Sequence, residues 1–377
     1  MELSTLFVSG GGRCLIALEA HKVLDIQREA SRGIANLLSS FRHQAAVIQD
    51  GIPGLIHLAY SDDDECSYHA ALCIRKLSPN LKSHPSFIYA GGFKAIFRLL
   101  KLSNLNTQKQ AAGALRDFCA NADFKVRCVE DGGLDVLLEL SRHPEEHLQA
   151  LALASLRHLS LEDSLKRTIV MERTLRQAIR CAIFPNEDIH IQVAGLFANL
   201  SELSDNHIPM VEDGIGVTLA SLAFSRNAEV QQDISRTFAN ILTNEDSHQP
   251  LYRQGAMRAL VKLSDSDNDI TQRYSVMGLR FLASDPEVRI LAVQDGHVPA
   301  FVTLSKSPLL EYRRTAAVCF ASFTLHEANK FHLIRAGCIP ALLSLAMDKD
   351  LSTKRDGIFA IANLGDSMEL QGKDRLS

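Results

Sequence analysis

The amino-acid sequence predicts an all-α solenoid of about nine three-helix repeats. Two independent periodic series and the lack of any strand pattern carry that reading. Glycines followed by an apolar run recur at Gly51, Gly92, Gly133, Gly214, Gly255, Gly296 and Gly337, in steps of 41 except for one of 81, where Arg173 stands in place of a glycine. Gly11 extends the series backwards. Apolar anchors at Ile34, Ile74, Leu115, Leu156, Phe197, Phe238, Leu279, Phe320 and Ile361 step once by 40 and seven times by 41. No segment alternates apolar and polar residues with period two, so strands are not expected. Internal repetition of this length marks stacked arrays in which no unit builds a core alone.

Each repeat divides into three helical segments. A short apolar segment, such as Arg127-Cys128-Val129, precedes the glycine, which ends it because helix stops favour a left-handed residue. Ile52-Pro53, Val298-Pro299 and Ile339-Pro340 then open a second helix, where the missing proline N–H costs nothing. A polar break follows, as in Ser61-Asp62-Asp63-Asp64 or Phe184-Pro185-Asn186-Glu187-Asp188, with side chains suited to cap the next helix. The third helix is the longest, about four turns, for example Gln192 to Leu203. Four residues before most anchors sits a small residue (Ala30, Ala70, Ala111, Ala152, Ser275, Ala316, Gly357), which lets neighbouring helices approach closely. The expected array runs over residues 1–364, with repeats near 1–40, 41–81, 82–122, 123–163, 164–204, 205–245, 246–286, 287–327 and 328–364, and a tail at 365–377. Residues 3–9 read as the first helix of repeat one, and Gly10-Gly11-Gly12 as a turn. Exposed terminal faces leave end-to-end association open.

Composition narrows the function. The chain is 46% hydrophobic and 22% charged with a formal charge of −4, which excludes intrinsic disorder and gives no support to nucleic-acid binding. The start, Met1-Glu2-Leu3-Ser4, lacks signal-peptide and myristoylation features, and no apolar run approaches the ~18 residues of a membrane span. Eight cysteines without a Cys-x-x-Cys pair argue against zinc and a disulfide scaffold and favour a reducing compartment: cytoplasm, or also nucleus.

The segments Gly337-Cys338-Ile339-Pro340-Ala341-Leu342-Leu343, Phe197-Ala198-Asn199-Leu200, Phe238-Ala239-Asn240-Ile241 and Ile361-Ala362-Asn363-Leu364 resemble the armadillo family, over essentially the whole chain. The resemblance implies a right-handed superhelix whose third helices line a groove for an extended partner chain. The family's groove asparagine, two residues past the anchor, is matched by Asn36, Asn199, Asn240 and Asn363; Lys76, Asp117, His158, Phe281 and Ser322 depart from it. An amide there can clamp a peptide backbone through paired donor and acceptor. Importin-α-like carriers add a tryptophan one turn earlier. This chain has none, with Arg32, Gly195, Arg236 and Phe359 beside the four asparagines, so β-catenin-like and vacuolar adaptor-type members are the nearer comparison.

Arginine recurs one residue past the anchor at Arg75, Arg116, Arg157 and Arg280, and six before it at Arg273, Arg314 and Arg355, with Arg28 and Lys109 also at that position. Turns of about 100° per residue place both columns on one flank of the third helix, bordering the asparagines. Either acids on neighbouring helices neutralise these rows, or the rows face an acidic or phosphorylated partner segment.

No nucleotide loop, nucleophile elbow or zinc-protease pair occurs, and no cofactor is expected. His143 and His147 have metal-ligand spacing but sit in a polar break beside Pro144. The expected function is a non-catalytic scaffold binding linear protein segments, with a divergent nuclear-import adaptor or a regulatory subunit of a ubiquitin ligase or chaperone system as the alternative. Replacing Ala111 or Ala152 by tryptophan is expected to destabilise the stack by ~1–3 kcal/mol or more, read as a lowered denaturation midpoint.

Overall fold

The structure, a computed structural model, describes residues 11–366, without the side chains of residues 41–43. The expected helix over residues 3–9, Gly10 and all of the tail beyond residue 366 lie outside the described residues. The chain falls into two bodies, divided between Leu196 and Phe197. Among the described residues there is no strand, and the architecture is an all-α solenoid.

Within the N-terminal body the third helices Leu24–Leu37, Asp64–Leu77, Leu105–Ala120 and Glu146–Leu159 pack side by side, each on the next. In the C-terminal body the same layer is made by Ala228–Ile241, Asp269–Ser284, Leu310–Phe323 and Leu351–Gly365. Second helices form a layer of their own in each body, Ile52–Ala59, Gly92–Leu100 and Gly133–Leu140 in the N-terminal one, and Ile215–Leu222 and Ala256–Ser264 among those of the C-terminal one. The anchors are buried, except that Ile361 in repeat nine is half-exposed. The small column is also buried, and a Cβ added at Gly357 would stand 2.8 Å from the Ala346 amide nitrogen. Contact between backbones therefore sets the size limit.

Several expected details shift. The left-handed residue is Gly91 and Gly132, not Gly92 and Gly133, so this column runs 91, 132, 173, 214, 255, 296, 337 with a uniform step of 41. Arg173 takes the same conformation at φ 60°, filling the missing glycine's place. Gly92 and Gly133 open the second helix instead, and a Cβ at Gly133 would lie 2.6 Å from the Cys128 carbonyl oxygen. Gly51 is not left-handed (φ −96°); a π-turn over Val47–Gly51 carries the chain directly into Ile52–Ala59. Gly11 and Gly12 begin a helix, Gly11–Leu18, rather than a turn. The third helix of repeat five is Glu187–Leu200, five residues earlier at its start than Gln192, because Asn186 accepts from the Ile189 amide and draws the first turn forward.

The polar breaks cap as their composition requires. Asp63, Asn104, Asn227, Asn268 and Asp350 each accept hydrogen bonds from the first-turn amides of the third helix that follows. The opposite end is closed by side chains from the next repeat. Nine residues past the anchor, Ser83, Asn206, Ser247 and Asn329 donate to carbonyls of Leu77, Leu200, Ile241 and Phe323. Ten past it, His84, His207 and His248 donate through Nε2 to carbonyls of Ser78, Ser201 and Leu242 at 2.7–2.9 Å. Carbonyls left over at a helix C-terminus thus find donors inside the stack.

A buried carboxyl goes without. Glu19, fully buried after the Gly11–Leu18 helix, has no hydrogen-bond partner for either carboxyl oxygen, and its side chain lies against Gly54. Burial pushes its pKa up to about 8, so the folded chain holds the proton that the unfolded chain loses near 4.5. The contribution of Glu19 to the packing of repeats one and two is therefore expected to be greatest near pH 4.5 and to fall as pH rises to about 8, levelling off above, by on the order of a few kcal/mol, with Glu19→Gln abolishing the dependence. Hydrogen exchange of helix Leu24–Leu37 at pH 5 and pH 9 checks it. Arg173→Gly is expected to stabilise the chain by about 0.5–1 kcal/mol, because glycine removes the left-handed strain. A raised denaturation midpoint is the readout.

Candidate functional site

The side chains singled out by the sequence lie on the third helices, and the repeat register decides what each one meets. The asparagine column turns out to be laced to the preceding repeat. Asn240 Nδ2 donates to Ser201 Oγ at 3.0 Å while that hydroxyl donates to the Ala198 carbonyl. Asn363 Nδ2 donates to Thr324 Oγ1 at 3.2 Å, and Thr324 donates to the Ala321 carbonyl. Each hydroxyl's proton is committed to a carbonyl, so the amide must present its nitrogen to it. That leaves Oδ1 and the second amide hydrogen for other use. Asn36 is exposed and Asn199 is buried. At two of the departing positions the lacing persists in another form. Asp117 accepts from Ser78 Oγ at 2.6 Å, and Lys76 Nζ donates to the Ala35 carbonyl and to Ser39. His158 is half-buried, and burial lowers its pKa.

The arginine column one past the anchor reaches forward into the next repeat. Arg75 Nη1 lies 2.6 Å from Asp117 Oδ2, and its Nε lies 2.6 Å from where a Cβ on Gly113 would stand. Arg157 is seated in the same way over Gly195. Gly113 and Gly195, each two residues before an anchor, are what admits these guanidinium groups. Arg116 turns back on its own neighbour, Asp117, at 2.7 Å. Arg280 is exposed and, among the described residues, takes no ion pair.

The column six before the anchor grips the acid that starts the next third helix, eleven residues before its anchor. Arg28 holds Asp63 through Nε at 3.1 Å and Nη2 at 2.5 Å. Arg314 holds Asp350 at 3.1 and 2.8 Å, and Lys109 meets Glu145 at 2.7 Å. Hydrogen bonds from these cations hold all three carboxyls below the usual carboxylate range. The corresponding residue after repeat seven is Leu309, and Arg273 is exposed with no ion pair among the described residues. Arg355 bonds its neighbour Asp356 at 2.9 Å but leaves its side chain 76% exposed. Arg28, Arg75, Lys109 and Arg314 thus tie one repeat to the next, Arg116 and Arg355 pair with their own neighbours, and repeat seven holds the member of each row that takes no ion pair among the described residues.

Between the third helices Leu310–Phe323 and Leu351–Gly365 lies a hollow of about 400 Å³, walled by Val318, Ser322, Leu325, Arg355 and Phe359. Leu325 and Phe359 are about half exposed there. In the sequence Phe359 stands out only as the residue in the place of a carrier tryptophan. Its pairing with Val318 and Leu325 follows from the register of the next two helices. The capping residues nine and ten past the anchor were also missed; polar residues returning every 41 positions at the start of the first helix were the available signal.

Nothing among the described residues groups three metal-ligating side chains. His143 stays in the break, its Nδ1 accepting from the Glu145 amide, while His147 falls in the first turn of Glu146–Leu159. Seven cysteines are buried as free thiols. Burial pushes those of Cys66 and Cys338 up to about 11, which leaves them poor nucleophiles at neutral pH. No helix among the described residues is long and apolar enough to cross a membrane.

No protein-family model and no curated protein matches the chain. Solved structures do. An engineered protein from a structural-genomics consortium is 24% identical over 97% of this chain and 91% of its own, with a TM-score of 0.72. A designed armadillo repeat protein is 21% identical, covering 61% of this chain and 99% of its own at a TM-score of 0.57. Another designed armadillo repeat protein, solved in complex with the peptide (KR)4, is 19% identical over 61% of this chain and 99% of its own, also at 0.57. The fold is an armadillo-type repeat solenoid.

Proposed function

We propose that this protein is a non-catalytic interaction scaffold whose third helices receive an extended, acidic segment of a partner protein. The observation that carries the proposal is the orientation of the Asn240 and Asn363 amides. Fixed by Ser201 and Thr324, each keeps an acceptor and a donor hydrogen for a passing peptide backbone. Arg273 and Arg280, exposed and without ion pairs among the described residues, supply the preference for negative charge. Arg314 and Arg355 belong to the same C-terminal body, Arg314 engaged in holding repeats together, and Asn199 is buried there; Asn36, Arg75, Arg116 and Arg157 offer a corresponding set on the N-terminal body. The one peptide named with a structural neighbour is basic, (KR)4, so the charge of the preferred segment is the point on which this chain is proposed to differ. The buried free thiols fit a reducing compartment, the cytoplasm or nucleus.

Fluorescence anisotropy with labelled (Glu-Asp)4 and (KR)4 peptides decides between acidic and basic partners. The acidic peptide is expected to bind, with affinity falling as salt rises from 50 to 300 mM, about the range over which surface charge is screened. Binding of the basic peptide alone would support the import-adaptor alternative, and binding of neither would overturn the linear-segment reading.

A further inference from the structure

The members of the two arginine columns that take no ion pair among the described residues fall in one repeat, and both have a structural cause. Arg280 stands where Arg75 and Arg157 stand in their own repeats, one residue past the anchor. Arg75 finds a glycine seat and an acid in the next repeat, Gly113 and Asp117. The residues at those two positions facing Arg280 are Val318, which fills the seat, and Ser322, which carries no charge. Arg273 stands where Arg28 and Arg314 stand, and Leu309 replaces the acid they grip. Each guanidinium is therefore left exposed beside a gap that an acid fills elsewhere in the same chain. The apolar hollow begins at the same place. Val318 and Ser322 form its wall nearest repeat seven, and Leu325 and Phe359 complete it.

Other charges near the hollow are accounted for. Asp356 is bonded by Arg355, Glu311 by Arg314, and Asp350 by Arg314. Asp269, exposed one turn before Arg273, shares with it a second hollow lined also by Leu309 and Tyr312. The Tyr312 hydroxyl is buried there with no hydrogen-bond partner, a donor awaiting an acceptor.

Resting on the proposed function and narrowing it, we infer that repeats seven to nine form a composite subsite for a partner segment with one large apolar residue flanked by carboxylates. The apolar side chain enters the hollow between Val318, Leu325 and Phe359. Flanking carboxylates meet Arg280 and Arg273, supplying from outside the acids that Ser322 and Leu309 withhold. Adjacent third helices lie ~8–10 Å apart and an extended chain advances ~3.3 Å per residue, so the apolar residue and the nearer carboxylate stand about three residues apart.

The experiment uses the full chain and labelled heptapeptides Glu-Asp-Glu-X-Glu-Asp-Glu, with X as Leu, Phe, Ala, Ser, phosphoserine or Lys. Leu and Phe are expected to bind at least about tenfold more tightly than Ala, the scale of burying one such side chain. Phe359→Ala, a change at a half-exposed position, is expected to erase that preference while the melting midpoint holds. Arg280→Glu and Arg273→Glu are expected to weaken every acidic peptide at least about fivefold. Equal binding of Leu and Ala peptides, or a Leu preference surviving Phe359→Ala, overturns the subsite. If acidic peptides still bind in a salt-dependent way, the broader function stands without it. Tightest binding with phosphoserine overturns the apolar requirement in favour of a phosphate reader.

Discussion

The close approach of neighbouring third helices is the constraint on which the structure depends. No repeat holds enough apolar surface to bury its own anchor, so Ile74, Leu115 or Phe320 is buried only because another repeat lies against it. The second helix of each repeat packs closely as well: Gly357, one turn before its anchor, lies against the Leu345–Ala346 backbone, and Ala70, Ala111 and Ala316 keep the same column small and buried. Once the helices are that close, long polar side chains span the seam. Arg28, Arg75, Arg314, Asn240 and Asn363 all cross from one repeat to its neighbour. The same geometry therefore produces the core, the cross-links and the surface offered to a partner.

A polar column in such a stack has two uses, and they compete. Arg75 serves cohesion because Gly113 and Asp117 give it a seat and a charge. Arg280 is released to solvent because Val318 and Ser322 give it neither. The distinction between a holding residue and a reading residue thus lies in the neighbour. Asparagine holds without being used up, since one amide hydrogen is enough for the hydroxyl beneath it.

The helices, their order and the buried columns were legible in the sequence, because a period of 41 residues repeats every apolar contact in register. Boundaries were less so. The double glycines at 91–92 and 132–133 hid which residue turns left-handed, and Glu187 and Asp188 looked like loop when Asn186 makes them a first helical turn. The candidate site was legible as columns but not as pairings. That Arg314 meets Asp350, or that Arg157 lies over Gly195, joins residues 36 or 38 positions apart, on surfaces that only stacking brings together. The hollow around Phe359 belongs to the same class: its walls come from two helices, and neither helix alone is concave.

The segment between a third helix and the next second helix shows where length can change. From the capping residue to the anchor the count is eleven in every repeat from two to nine where both are read, as in Asp63 to Ile74, Asn104 to Leu115 and Asp350 to Ile361. The single 40-residue step is absorbed ahead of Gly51: seventeen residues separate Ile34 from Gly51, where eighteen separate Ile74 from Gly92. A deletion there shortens a hinge, the one that Val47–Gly51 closes with a π-turn, and leaves all later seams aligned. One inside a third helix would rotate every seam-crossing side chain beyond it by about 100°. Inherited indels and engineered tags are tolerated, on this geometry, only at the hinges.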